Sequence, residues 1–322
     1  MNSVCLSIDN GHRLPSLDFI RAIMIFLMVL FHLGDFNCQY LRLSDYVYSF
    51  HMMTFLLISG FLFNPEKPLG KFWHSYRLLL GVYLFFNLLY IISFWFYGTM
   101  TGGEQEQLSF ALILGRLVSA PVGTLWYIYT LLVAMPIIYI LNILCNRQKL
   151  TTIILSACIF YGISLLLPTV FMWRCVIFFL LGQLLRTFRL SFIPSWLLML
   201  SCIIGLIIIG FYDNSFQFCI PVTIANTMLY FILFICVYER IKDDKIKTSI
   251  CWIGKNTLPV VCWSFFFTPF ISVLYRFFSF DNLRILYGII ASILVIALSY
   301  MCACIMDKTK ISQLLFGTSM IK

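Results

Sequence analysis

Charge is what this sequence has least of. Asp, Glu, Lys and Arg make up 11% of its 322 residues, against 61% apolar residues. A soluble domain carries roughly 25% charged and about 45–50% apolar residues. So few charges cannot cover a water-facing surface, so a soluble fold is excluded and lipid is the solvent the chain requires. Carboxylates are scarcer still, with 13 Asp and Glu against 22 Lys and Arg, for a formal charge of +9. The basic residues lie mostly between apolar stretches, so membrane orientation accounts for them, and no nucleic-acid-binding motif is present. Long polar stretches are missing too. The longest are 98–108 and 239–249, which leaves no room for a soluble domain between apolar runs. No internal repeat is evident, which removes one common mark of a transporter. The 12 cysteines contain no CxxC pair, and no residues converge with metal-ligand spacing, so metal ligands are not expected and Cys reads as a small apolar residue. Residues 1–13 are polar and the first apolar run is long, so the N-terminus is not read as a cleavable signal.

What remains is a series of apolar runs. A spanning helix needs about 20 mostly apolar residues. Ten stretches qualify: 17–37, 46–64, 75–97, 123–145, 151–167, 170–187, 195–211, 218–238, 257–275 and 284–306. Residues 110–122 read as a further re-entrant or interfacial piece. With the N-terminus in the cytoplasm, sixteen Lys and Arg fall on the cytoplasmic side and four (Arg42, Arg116, Arg276 and Arg284) on the outer side. That asymmetry predicts an all-α integral membrane protein of about ten transmembrane helices with both termini cytoplasmic. The whole of 1–322 reads as one membrane-embedded domain, with 1–16 and 307–322 as cytoplasmic segments.

Ionisable residues inside spans cost several kcal/mol and usually have a task. The first span holds Arg21 and His32. Eleven residues at 100° each bring both to one helix face, about 16 Å apart along the axis. Asp35 follows His32 at i+3, a spacing that would let its carboxylate orient the imidazole. The second span opens on His51, which alternation places at a depth comparable to His32, so that the two histidines flank one cavity. At the third helix, Lys71, His74 and Arg77 form a basic cytoplasmic edge suited to phosphate groups. Trp126 stands near the outer end of the fourth span. Arg174 and Asn226 are polar enough to line a cavity, without a readable role.

These stretches resemble the acyltransferase 3 family of bacterial multispanning membrane acyltransferases, and most of all its sugar O-acetyltransferase-like branch. The resemblance is carried by Arg13-Leu14-Pro15-Ser16-Leu17-Asp18-Phe19-Ile20-Arg21, by the Arg-x10-His spacing of Arg21 and His32, and by Phe50-His51-Met52 with Ile58-Ser59-Gly60-Phe61. It continues through Lys71 to Arg77, Leu125-Trp126-Tyr127 and Ile253-Gly254-Lys255-Asn256-Thr257-Leu258. The sequence departs from the family where Met53 stands in place of a frequent Pro, and where Val261-Cys262-Trp263-Ser264 carries no His.

The resemblance implies an enzyme of a bacterial plasma membrane with no permanently bound cofactor. Its donor would be acyl-CoA, expected to be acetyl-CoA. Its acceptor would be a carbohydrate hydroxyl, on a surface polysaccharide, an exopolysaccharide or a lipid-linked sugar. In that setting His32 is the expected base, partnered by Asp35 or His51. His51 or Trp126 would stabilise the oxyanion. Arg21, Lys71, His74 and Arg77 would bind the CoA arm or its phosphates. A covalent acyl-His32 is the variant mechanism. The competing classes are a carrier or flippase for a small anionic or sugar substrate, and a non-catalytic protein on the same fold.

Overall fold

The computed structural model describes residues 4–5, 14–101, 109–167, 173–189, 191–211, 220–278 and 280–321. Arg13, most of the 1–16 segment, the first residues of the expected sixth and eighth spans, and Lys322 lie outside that set. The helices are, in chain order, α1 Pro15–His32, α2 Gly34–Gln39, α3 Leu41–Tyr48, α4 His51–Leu62, α5 Leu69–Thr101, α6 Phe110–Val118, α7 Trp126–Leu144, α8 Lys149–Leu166, α9 Trp173–Phe188, α10 Trp196–Phe211, α11 Ile220–Arg240, α12 Asp244–Lys255, α13 Thr257–Ser272, α14 Ile285–Lys308 and α15 Ile311–Phe316. Among the described residues the strand content is one two-residue antiparallel pair, Val4–Cys5 with Ser191–Phe192.

The protein is an all-α membrane protein. Among the described residues, seven segments are long and apolar enough to cross a bilayer: Pro15–His32, Leu69–Phe96, Gly123–Leu144, Lys149–Leu166, Ile220–Arg240, Thr257–Phe278 and Ile285–Lys308. Trp196–Phe211 is apolar but shorter. The first two expected spans have a different form. The 17–37 run is broken at Leu33, whose backbone is extended (φ −74°, ψ 107°), so α1 ends at His32 and α2 begins a new direction. The 46–64 run is split between α3 and α4. The 12 residues of α4 reach only about 18 Å, against a hydrocarbon core of about 30 Å.

The chain divides into two compact units. The first comprises residues 1–62 and 178–301. Its centre is α1, which packs against α4, α11, α12 and α13. Of its window 61% is buried, against 33% for the segments built on α11 and α13, which marks α1 as an interior helix. Ile20, Met24, Ile25, Met28 and Val29 are fully buried on it. Helices α4 and α9 meet backbone to backbone: a Cβ at Gly60 or Gly182 would strike the opposite main chain. Such contacts use small residues because lipid supplies no hydrophobic drive between helices. Gln183 seals the crossing by donating to the Gly60 carbonyl, and Arg186 donates to that of Phe61.

The second unit comprises 63–177 and 302–321. Its axis is the 33-residue α5. The 110–122 piece is the nine-residue α6, too short to cross, at about 14 Å. Its C-terminal carbonyls, with no partner in the helix, accept from Tyr83, Asn87 and Tyr129. The C-terminal segment is folded: α15 returns to α5, with Phe316 against Phe85 and Phe86. Asp307 closes it by accepting from the backbone of Met320 and Ile321 at 2.8 and 3.1 Å.

Candidate active site

Both span histidines of the first unit lie at helix ends created by the breaks just described. His32 is the last residue of α1, and its Nδ1 is 2.6 Å from the Met28 carbonyl oxygen. His51 is the first residue of α4, and its Nδ1 is 2.8 Å from the Val47 carbonyl oxygen, at the end of α3. A carbonyl only accepts, so in each ring Nδ1 carries the hydrogen, and in the neutral imidazole Nε2 then holds a lone pair. Two bases are thus prepared by one local device, a ring folded back on the carbonyl four residues earlier. His51 is 1% exposed and its Nε2 has no hydrogen-bond partner. A buried polar atom left in that state is costly and calls for an explanation in function.

Tyr48 connects them. Its ring stands edge-on to His32 at 5.7 Å between centroids and tilted against His51 at 5.3 Å. Its hydroxyl donates to the Phe31 carbonyl at 2.7 Å, tying α3 to the end of α1. Tyr48 stands three residues before His51, and because Ser49 between them keeps helical backbone (φ −67°, ψ −22°), unlike the extended Leu33, the spacing still puts the two rings on one face. Tyr48→Phe keeps both ring contacts and loses one hydrogen bond. It is expected to cost about 0.5–1.5 kcal/mol of stability, seen as a modestly lower melting temperature with the histidine chemistry retained.

Asp35 is placed otherwise than expected. The i+3 argument needed one continuous helix, and the break at Leu33 removes it. Asp35 begins α2, and the His32 ring takes its bond from Met28 instead. The Asp35 carboxylate accepts from the Tyr287 hydroxyl at 3.5 Å, and its backbone carbonyl accepts from Arg284. Arg284 lies over the Tyr275 ring at 4.6 Å, and Asp281 accepts from the Tyr287 backbone at 2.8 Å. Asp35 therefore clamps α2 to the start of α14.

Arg21 lies partly exposed on α1, on the His32 side of the helix by angular spacing. Its guanidinium is 3.6 Å from the buried Asp18 carboxylate, one turn earlier. Asp18 both partly offsets the charge and limits where the guanidinium can swing. Asn226, without a readable role in the sequence, is fully buried and bonds to Ser49 and Tyr46, fastening α11 to the α3–α4 junction. Arg174 is exposed at the start of α9.

In the second unit, Lys71 and His74 line a cavity of ≈ 570 Å³ with Lys67 and Glu66. Arg77 is exposed one turn further along α5 and lies outside that lining. The loop before α5 is held in place from α7. Tyr139 donates to the Lys67 carbonyl at 3.0 Å and stacks on Phe72 at 4.2 Å, while Asn142 donates to the Pro65 carbonyl at 3.2 Å. Lys149 pairs with Glu66 at 3.8 Å. In the sequence Lys67 is one of the sixteen cytoplasmic-side Lys and Arg, and it precedes the helix that sets the spacing of Lys71 and His74. Trp126 is the first residue of α7, thirteen residues from Tyr139 and so about 20 Å along the helix from the level of this cavity.

The Acyl_transf_3 family model, described as an acyltransferase domain, matches residues 14–304. The chain belongs to this family. No curated protein and no solved structure matches it. This acyltransferase works in a lipid bilayer, with an acyl donor and an acceptor as its substrates. The match spans α1 through most of α14, so both the histidine pair and the Lys71–His74 cavity lie within it.

Proposed function

We propose that this acyltransferase moves an acetyl or other short acyl group from acyl-CoA to a hydroxyl of a cell-surface or exported carbohydrate. In this reading the whole chain is one catalytic domain of a bacterial plasma membrane, crossing it about ten times with both ends in the cytoplasm. The Lys and Arg asymmetry supports that orientation. The observation that carries the chemistry is the pair of imidazoles with Nδ1 committed to backbone carbonyls and Nε2 left as a base.

His32, the more accessible of the two, is the general base. The acceptor oxygen attacks the thioester carbon as His32 Nε2 takes the hydroxyl proton. The tetrahedral oxyanion then collapses and the C–S bond breaks. The CoA thiolate recovers the proton from His32, leaving an ester and free CoA. A base near neutrality contributes about 10²–10⁴-fold to such a step. The oxyanion needs a hydrogen-bond donor. His51 has an acceptor at Nε2 while neutral and can donate only as imidazolium. The Trp126 indole N–H is a donor in every protonation state. Asp35 acts through the α2 clamp rather than on the ring. The CoA phosphates are assigned to Lys71 and His74, with Arg77 further along α5, because the Lys ammonium is a point charge and the imidazole a hydrogen-bond donor, both suited to phosphate oxygens. Arg21 is assigned to the donor as well.

The test is purified protein in nanodiscs with acetyl-labelled acetyl-CoA, read as CoA release and as label moved to protein, water or added sugars. Silence with acetyl-CoA and again with succinyl-CoA, sugars present, removes the acyl-CoA reading. Arg21→Ala is expected to raise KM for the donor by about tenfold, the loss of one charge-assisted contact, with kcat changed far less. An unchanged KM would remove Arg21 from the donor site.

A further inference from the structure

A second cavity, of ≈ 720 Å³, opens in the first unit between α3, α10 and α11. Leu206, Ile207 and Leu233 supply apolar wall, and Ile207 is 53% exposed, so the groove is accessible from the side. Among the described residues of its lining, Arg42, exposed on α3, is the one cation and none is a carboxylate. Tyrosine hydroxyls interrupt this mostly apolar lining. Tyr46 and Tyr230 line it, Tyr230 donating to the Tyr46 hydroxyl at 3.4 Å and Tyr46 donating to the buried Asn226 at 3.1 Å. An apolar groove, an exposed guanidinium and two tyrosine hydroxyls match three parts of one amphiphile: a chain, a phosphate and a sugar. A plain acyl-chain crevice needs neither the cation nor the hydroxyls.

The cavity also shares a helix with the histidine pair. Arg42 and Tyr46 line it from α3, and the next two residues of that helix, Val47 and Tyr48, contact His51. Arg42 and Val47 are five residues apart, about 8 Å along the axis, within the reach of a short glycan headgroup.

We propose that this cavity binds the acceptor in lipid-linked form, its alkyl chain along Leu206, Ile207 and Leu233, its phosphate on Arg42 and its sugar directed toward the α3–α4 junction. This rests on the acyltransfer reading for its purpose, but binding is measured separately from chemistry.

The probe is tritiated glucosyl farnesyl phosphate, titrated onto the purified full-length protein in detergent. Saturable binding is expected, about tenfold weaker in Arg42→Ala, since a charge-assisted phosphate contact is lost. Gly210 lines the cavity, and a Cβ there meets nothing within 4 Å. Gly210→Leu therefore fills the groove without straining α10, and favours the helix by propensity. Binding is expected to be lost in it while the melting temperature holds. Farnesol and dioleoylphosphatidylglycerol are expected to compete at least tenfold less well. Wild-type affinity in both variants, or equal displacement by phosphatidylglycerol, overturns the proposal. The two readings fail differently: a wild type that binds the probe but releases no CoA from any acyl-CoA refutes acyl transfer and retains the cavity, whereas one that releases CoA but does not bind the probe refutes the cavity alone.

Discussion

His32→Ala is expected to lower acyl transfer and CoA release by about 10²–10⁴-fold in a protein that still folds and inserts. His32 is the final residue of α1, and its ring makes one bond, to Met28, and one edge contact, to Tyr48. Removing it leaves the helix interior intact, so the melting temperature should fall little while the rate falls steeply. Free imidazole added to the variant should restore part of the rate if His32 acts as a base. No rescue, together with loss of protein-bound label, would favour the acyl-His32 route. A His32→Ala protein with wild-type turnover would end the assignment. His51 needs a different experiment. It is 1% exposed, and truncating it opens a core cavity that destabilises the fold, so lost activity there carries meaning only alongside an unchanged melting curve.

What was legible in the sequence, and what was not, follows from how far apart the interacting groups lie along the chain. Arg21 and His32 could be placed on one face because α1 is continuous between them and 100° per residue is a local rule. The break after His32 had a local sign in Gly34, which the apolar run concealed. Asp35 was misplaced for that reason, and its partners Arg284 and Tyr287 are about 250 residues away, where periodicity has nothing to say. Asn226 could be noticed as a polar residue in an apolar run, but its partners Ser49 and Tyr46 lie some 180 residues earlier. Lys71 and His74 were found together because i and i+3 share a face. Lys67 joined them through side chains of α7 gripping backbone carbonyls, a contact that leaves no pattern in sequence. Arg77, six residues from Lys71, has the charge of the group but not its direction.

Gly254→Val is expected to be the most damaging change outside the histidine site. Gly254 belongs to the Gly-Lys-Asn-Thr segment at the end of α12, and a Cβ there would fall on the Asp18 carbonyl of α1. The obstacle is main chain on both sides, so no flexible side chain can yield, and the two helices must separate along a contact that begins the central helix. Overpacking a core typically costs about 1–3 kcal/mol, occasionally more, and a backbone collision belongs at the upper end. Because Asp18 is paired with Arg21, the displaced carbonyl also disturbs the residue assigned to the donor. The measurement is the yield of monodisperse protein and its melting temperature in one detergent, beside Gly162→Ala, where a Cβ meets nothing within 4 Å. Gly162→Ala should be neutral or slightly stabilising, by up to about 1 kcal/mol. If Gly254→Val melts as high as Gly162→Ala, the close approach of α12 to α1 is wrong. The packing that explains why two family stretches more than 230 residues apart occur together would then have to be sought elsewhere.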